Sequence, residues 1–247
     1  KVRFENCVID YTIMTEGPQA EFVKCQFNDK STNPANAANE YAAWVYSGDA
    51  LFQDCDITGY RGIKICDYYD DSEVNNVVID NCRFTNISKK PGIAIDDHNS
   101  VGEPMNIVIK NSTFTNCKAG DLGNYIYESD NAIPTLENNT VCVNVATAEE
   151  LKDAIAAVNG NVIVDANGAE LNLNNTFTTA MVPAGKTATI RNANVTGRSY
   201  GNKVNGDVVF EDCSFNNANG AYSIHFDGGK GNVFFKNCAL FGWNSFG

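Results

Sequence analysis

Six carboxylates fall near equivalent points of a recurring text. Asp67, Asp96, Asp97, Glu128, Asp130 and Asp227 each follow a short alternation of apolar and polar residues. Lys64, Arg61, His98 and His225 lie beside them. Carboxylates about 5–10 Å apart are what glycoside hydrolysis requires, one as acid and the other as base or nucleophile. Grouped acids can also hold Ca²⁺ while an Arg or Lys acts as base, which is polysaccharide lyase chemistry. On that reading Asp67, Asp96, Asp97 and Lys64 carry the catalysis. The plainer reading is that these acids end strands, cap turns and keep a surface soluble, and it is the one preferred.

Aromatic residues offer a second kind of chemistry. Tyr11, Tyr41, Trp44, Tyr60, Tyr68, Tyr69, Tyr125, Tyr127 and Trp243 sit mostly in turns or second strands, where a ring can stack on a sugar. The binding set expected from acids and rings together is Trp44, Tyr68, Tyr69, Asp97, His98, Glu128 and Asp227. Two polar stretches, Asp29 to Tyr41 and Asp67 to Asn76, read as lateral loops. The nine Cys lack C-x₂-C spacing, so no metal site is expected from them. No cofactor is called for, and Ca²⁺ is the one ion the acids would admit. With 18 Lys+Arg against 30 Asp+Glu the net charge is −12, which argues against a nucleic-acid partner. No apolar run approaches the ~18 residues of a membrane span.

The elements that must position these residues come from one short phrase: apolar-x-apolar-charged-Asn-Cys-x-apolar. VRFENCVI ends at Ile9, LFQDCDI at Ile57, VVIDNCRF at Phe84, VVFEDCSF at Phe215 and VFFKNCAL at Leu240. The Cys position recurs at residues 7, 25, 55, 82, 112, 139, 193, 213 and 238, with Ser, Asn or Ala at three of them. Repeats of about 20–50 residues indicate a solenoid. Each phrase alternates with a strand period, and most are followed by a second short strand such as GIKICD or GIAIDD. Two or three strands per repeat without intervening helices predict one rung of a parallel β-helix.

That architecture explains two odd counts, nine Cys and 34 Asn. A repeat position sits above itself at about 4.8 Å, so Asn side chains can form amide ladders and Cys a buried column. A strand bend at Asn6–Cys7 would point Phe4, Cys7 and Ile9 inward together, with Cys as a small apolar filler. Unpaired thiols in such a column hint at a reducing compartment or an anaerobic niche.

Between Ala146 and Val158 the text changes to ATAEELKDAIAAV, the best helix former in the chain. Thr147 and Glu150 spell a capping box, and Leu151, Ile155 and Val158 share one face. This segment resembles the entry to right-handed β-helices of the pectin-lyase-like superfamily, where a short amphipathic helix plugs the solenoid before its first rung. The resemblance implies an all-β fold, a right-handed parallel β-helix solenoid with one short amphipathic capping helix. It also implies that the helix caps the rungs after it. The activity does not carry over residue by residue. Hydrolases of that superfamily carry N-T-D, D-D, G-H-G and R-I-K in order. Here Asp96–Asp97 match only D-D, the interrupted RGIK at Arg61–Lys64 precedes it, and no G-H-G exists. The lyase pattern R-x-P-x-x-R is absent as well.

The expected organisation is β-helix rungs over 1–143 of C-terminal type, a capping helix over 144–160, and rungs of N-terminal type over 161–247. Joining the last residue to the first would set Cys238 and Cys7 only 16 positions apart, close to the 18 between Cys7 and Cys25. The expectation is therefore a non-catalytic structural or adhesive module of a cell-surface or virion protein. Its partners would be a glycan or host surface and, through open solenoid ends, other copies in a tandem or end-to-end assembly. The alternative is a polysaccharide lyase or glycoside hydrolase using the acidic column.

Overall fold

A computed structural model describes residues 1–17, 19–30, 41–67, 76–97, 105–120, 124–129, 132–158, 161–174, 176–178, 181–196, 201–216, 222–241 and 243–246. Strands dominate, with one α-helix among the described residues. The chain divides into two compact units, Lys1–Val141 and Cys142–Gly247.

Within Lys1–Val141 the chain visits three parallel sheets in rotation. The first holds Val2–Glu5, Ala20–Val23, Ala50–Gln53, Asn76–Asp80, Asn106–Lys110 and Thr135–Glu137. The second includes Val8–Asp10, Gln26–Asp29, Asp56–Gly59, Arg83–Thr85 and Thr113–Thr115. The third holds Ile13–Thr15, Ala43–Val45, Ile63–Asp67, Ile93–Asp97 and Tyr127–Ser129. Successive coils pair in register, so this unit is a parallel solenoid. Unlike an all-parallel sheet in an α/β protein, it needs no helices, because each sheet buries its inner face against the other two.

Cys142–Gly247 opens with the helix Ala148–Ala157, capped by the expected box: Glu150 N–H donates to the Thr147 hydroxyl, and the Glu150 carboxylate accepts from Thr147 N–H. Leu151, Ala154 and Ile155 are buried, and the helix packs on the strand Asn161–Asp165. That strand is followed in one parallel sheet by Thr187–Arg191, Asp207–Glu211 and Val233–Lys236. A second sheet runs Glu170–Asn172, Asn194–Thr196, Ser214–Asn216 and Ala239–Phe241. A third runs Asn202–Val204, Tyr222–Gly229 and Trp243–Phe246.

The corner between the first two strands of a coil follows from one backbone conformation. Asn6, Lys24, Asp54, Asn81, Asn111, Asn138, Asn192, Asp212 and Asn237 all have φ between 51° and 56°. Each immediately precedes the Cys position. Asn and Asp tolerate this left-handed region better than other non-glycine residues, which is why the phrase writes them there. The bend turns the following residue inward, as the spacing required: Phe22, Cys25 and Phe27 are all buried. The amide ladder is real but less uniform than expected. Asn106 donates to Asn76 at 3.0 Å and Asn116 to Asn86 at 3.3 Å. Elsewhere the Asn amide donates to an Asp of the previous coil, Asn81 to Asp54 at 2.6 Å and Asn192 to Asp165 at 3.0 Å. Backbone conformation selects the residue, and the ladder then uses what it finds.

The core is a set of columns. Phe4, Phe22 and Phe52 stack at 5.1 and 4.9 Å, Phe84 on Phe114 at 4.6 Å, and Phe210 on Phe235 at 5.4 Å. The thiols do more than fill space. Cys55 donates to Gln53 O at 3.3 Å and to Phe22 O of the previous coil at 3.4 Å. Cys82, Cys213 and Cys238 repeat the pattern. Where Ser112 and Asn139 replace Cys, they are buried too. Ser112 Oγ donates to Lys110 O, and Asn139 Nδ2 donates to Ile109 O.

All nine cysteines are free. Burial pushes the Cys66 and Cys213 thiols up to about 11. The reactive thiolate is thus scarce at pH 8 in addition to being shielded. A disulfide reagent at pH 8 should label the half-exposed Cys7, Cys142 and Cys238 first and leave the six buried cysteines unmodified until the chain unfolds. Peptide mapping checks this, and fast labelling of Cys25 or Cys213 in the native protein would contradict the column.

Candidate functional site

The third sheet of Lys1–Val141 carries the polar and aromatic residues that the repeat does not need. Its outward register position reads Met14, Trp44, Lys64, Ala94, Glu128. A core column would repeat one residue type; this one changes at every coil.

Three coils converge around Lys64. Its ammonium pairs with Asp96 at 3.0 Å and lies 4.8 Å from the Trp44 ring and 5.9 Å from Tyr41. The side chain is only 9% exposed, so carboxylate and rings together replace the water it loses. Trp44 Nε1–H donates to the Cys66 sulfur at 2.8 Å, which fixes the indole, and Tyr46 lies 5.8 Å from it at 58°. Both rings are half-buried. Arg61 sits at the corner leading into the strand, its guanidinium 5.2 Å from Tyr41 and 5.7 Å from Tyr60. Its backbone N–H donates to Asp29 at 2.7 Å, while the buried Nε has no acceptor. A buried donor without an acceptor is uncommon and costs stability. Burial pushes the Tyr41 hydroxyl up, with Arg61 and Lys64 acting against it. One coil further, Lys90 pairs with Glu128 at 2.7 Å.

The expected site residues are distributed as follows. Asp67 and Asp97 are register partners on adjacent strands, and Asp96 is level with Cys66. Glu128 is level with Ala94, two positions away from Asp96 along the strand. The acids therefore do not form one column, because turns of different length shift each count from the Cys position. Asp227 is exposed on the strand Tyr222–Gly229 of the other unit. Tyr68, Tyr69 and His98, and most of the two loop stretches, lie outside the described residues, as do the side chains of Asp67 and Asp97. Among the described residues no group of three or more His, Cys, Asp or Glu is placed to hold a metal.

Comparison with protein families, curated proteins and solved structures yields no significant match. The site is thus read from its own chemistry. Lys64 is engaged by Asp96 and two rings, which disfavours it as a free base. What the surface offers is a pair of half-exposed aromatic rings with the Lys64–Asp96 ion pair beside them. Tyr41, Cys66 and Lys90 belong to this cluster and were not in the expected binding set. Tyr41 is among the rings able to stack on a sugar and Cys66 falls inside the second strand GIKICD, whereas nothing in the spacing points to Lys90.

Proposed function

We propose that the chain is a non-catalytic β-helix module, right-handed as nearly all parallel crossovers are, that displays a glycan-binding face on a cell surface or virion. The observation that carries this reading is the half-exposed Trp44–Tyr46 pair next to the Lys64–Asp96 ion pair. Sugars present apolar C–H faces that stack on rings and hydroxyls that bridge a cation and a carboxylate. The rigid stack of coils holds these groups in place without loop closure. Coil-on-coil pairing of the same kind would also serve assembly of copies end to end.

Binding to an immobilised panel of plant, algal and host glycans tests the reading. Trp44→Ala should weaken whatever binding is found by about tenfold or more, the scale of a lost aromatic platform, with no released oligosaccharide in either case. Unchanged binding would remove Trp44 from the site.

A second reading rests on one specific observation, the register pairing of Asp67 with Asp97. Neighbouring parallel strands lie about 4.8 Å apart, near the carboxyl separation that retaining glycoside hydrolysis uses. Cleavage of pectin or alginate that Asp97→Asn abolishes would establish that reading instead.

A further inference from the structure

Spacing along the sequence speaks against a metal site in the cysteines, but the coils bring together residues that lie far apart in the text. Cys25, Cys55 and Cys82 come from successive coils and are at most 2% exposed. Their neighbours on one side, Val23, Gln53 and Asp80, are register partners, and so are Gln26, Asp56 and Arg83 on the other. The three thiols are therefore level. Each is also held by an equivalent pair of carbonyls, one from its own coil and one from the preceding coil. Cys25 donates to Val23 O at 3.5 Å and Phe4 O at 3.6 Å, and Cys55 to Gln53 O at 3.3 Å and Phe22 O at 3.4 Å. Cys82 donates to Asp80 O at 3.4 Å and Phe52 O at 3.5 Å. Equivalently held atoms of adjacent coils repeat at the strand spacing of about 4.8 Å. Two metal–sulfur bonds of about 2.3 Å placed end to end span ~4.6 Å.

We propose that Cys55 and Cys82 form a two-coordinate site for a soft monovalent cation, Cu(I) or Ag(I), inside the column. Binding exchanges a proton for the metal and transfers no electrons. The Cys55 S–H bond breaks and its proton leaves to solvent. The ion then bonds the Cys55 thiolate and a lone pair of the Cys82 sulfur. Packing alone does not demand sulfur in this slot. Ser112, Asn139 and Ala193 hold it in other coils and are at most 3% exposed. Zinc would need four ligands, and among the described residues no group of three or more His, Cys, Asp or Glu is placed to hold a metal. Two sulfurs in line suit a soft ion of low coordination number.

Electrostatics single out this pair within the column. The hydrogen bond between the two sulfurs is the largest influence on both, holding Cys55 below the ordinary thiol value and pushing Cys82 well above it. Cys25, by contrast, is raised chiefly by burial. The pair therefore gives up one proton readily and keeps the second, as coupled acids do. One thiolate, one thiol and one monovalent ion are neutral together, and an apolar interior penalises anything else.

Anaerobic titration of the full chain with silver nitrate in chloride-free buffer is the test, read by calorimetry and by the ultraviolet absorption of the silver–sulfur bond. The half-exposed Cys7, Cys142 and Cys238 are first replaced by Ser, so that only buried thiols remain. Because the sulfurs are enclosed, each addition is left to equilibrate. One tightly held ion per chain is expected, and the urea midpoint for unfolding should rise with it, since the ion binds the folded pair. Cys55→Ser and Cys82→Ser should each weaken binding by at least the roughly 10–100-fold that losses outside the ligand shell already cost. Both variants should fold, because Ser112 already occupies this slot and donates to Lys110 O at 2.8 Å, and circular dichroism checks this. Cys213→Ser, in the other unit, should leave the affinity unchanged. Binding indifferent to Cys55→Ser and Cys82→Ser would overturn the site. So would silver uptake that begins only once urea has unfolded the chain.

Discussion

Phe52→Ala should destabilise the Lys1–Val141 unit by about 3–5 kcal/mol. Phe52 is fully buried and sits in the middle of a column, stacked on Phe22 at 4.9 Å and tilted against Phe27 at 5.7 Å. Its neighbour on the other side is Ile79. In a stack whose stability is roughly a sum of nearest-neighbour interfaces, one truncation weakens two interfaces at once. The small residues already in this core, Ala20 and Ala50 among them, leave little freedom for neighbouring side chains to collapse into the void. Global unfolding of a stacked chain need not be two-state, so a local probe is the better readout. Urea-dependent labelling of Cys55 and Cys82, whose thiols donate to Phe22 O and Phe52 O, reports on these coils directly. The midpoint should fall well below that of the parent. Phe234→Ala, at a position 46% exposed, should shift it by less than about 0.5 kcal/mol. Equal effects of the two would mean the Phe column is not what holds the coils together.

How far the sequence spoke depended on what each residue type was selected for. The phrase around Cys7, Cys25, Cys55, Cys82, Cys213 and Cys238 was legible because one corner geometry is reused at each. A left-handed residue followed by a small inward one can be written in few ways, so chemistry and position coincide. The helix was legible for a similar reason: Thr147 and Glu150 are a local instruction needing no tertiary partner. The third sheet was harder. Its strands lie 12 residues past the column position at Asp67 and 14 at Asp96, so counting cannot say which acids share a level. Asp67 with Asp97 came out level, while Glu128 met Ala94 instead. The cluster of Tyr41, Arg61, Lys64 and Asp96 is assembled from three coil segments by that register, and no single segment announces it. Asn was read as ladder material, whereas its first duty is the bend. Both uses favour the same residue, and the sequence alone does not separate them.

Gly62→Ala carries the second large effect, and it joins stability to the candidate site. Gly62 lies between Arg61 and Ile63, at the corner where the coil enters the third sheet. Its carbonyl accepts from Ala42 N–H at 2.9 Å, and Ile63 N–H donates to Gly92 O at 3.0 Å. A methyl group on Gly62 would lie 1.9 Å from Gly92 O and 2.9 Å from Gly92 C. Those are backbone atoms of the next coil, so no rotamer change relieves the clash; the coils themselves must separate. Alanine normally gains by reducing the freedom of the unfolded chain, by about 0.4–1 kcal/mol. Here that gain is overwhelmed, and a loss above about 3 kcal/mol is expected, among the largest of single substitutions. Gly168→Ala is the informative comparison. Its φ of 83° strains any side chain, but nothing lies within 4 Å, so conformational strain of about 1–2 kcal/mol is all it should lose. The register that Gly62 protects sets Ile63 opposite Ile93 and Cys66 opposite Asp96, and through it the reach of Lys64 to Asp96. Any Gly62→Ala protein that still folds should therefore lose the packing of Lys64 against Trp44. Tryptophan fluorescence and glycan binding should change together with thermal stability. Retention of all three would show that the coil spacing at this corner is looser than the close approach of Gly62 and Gly92 requires.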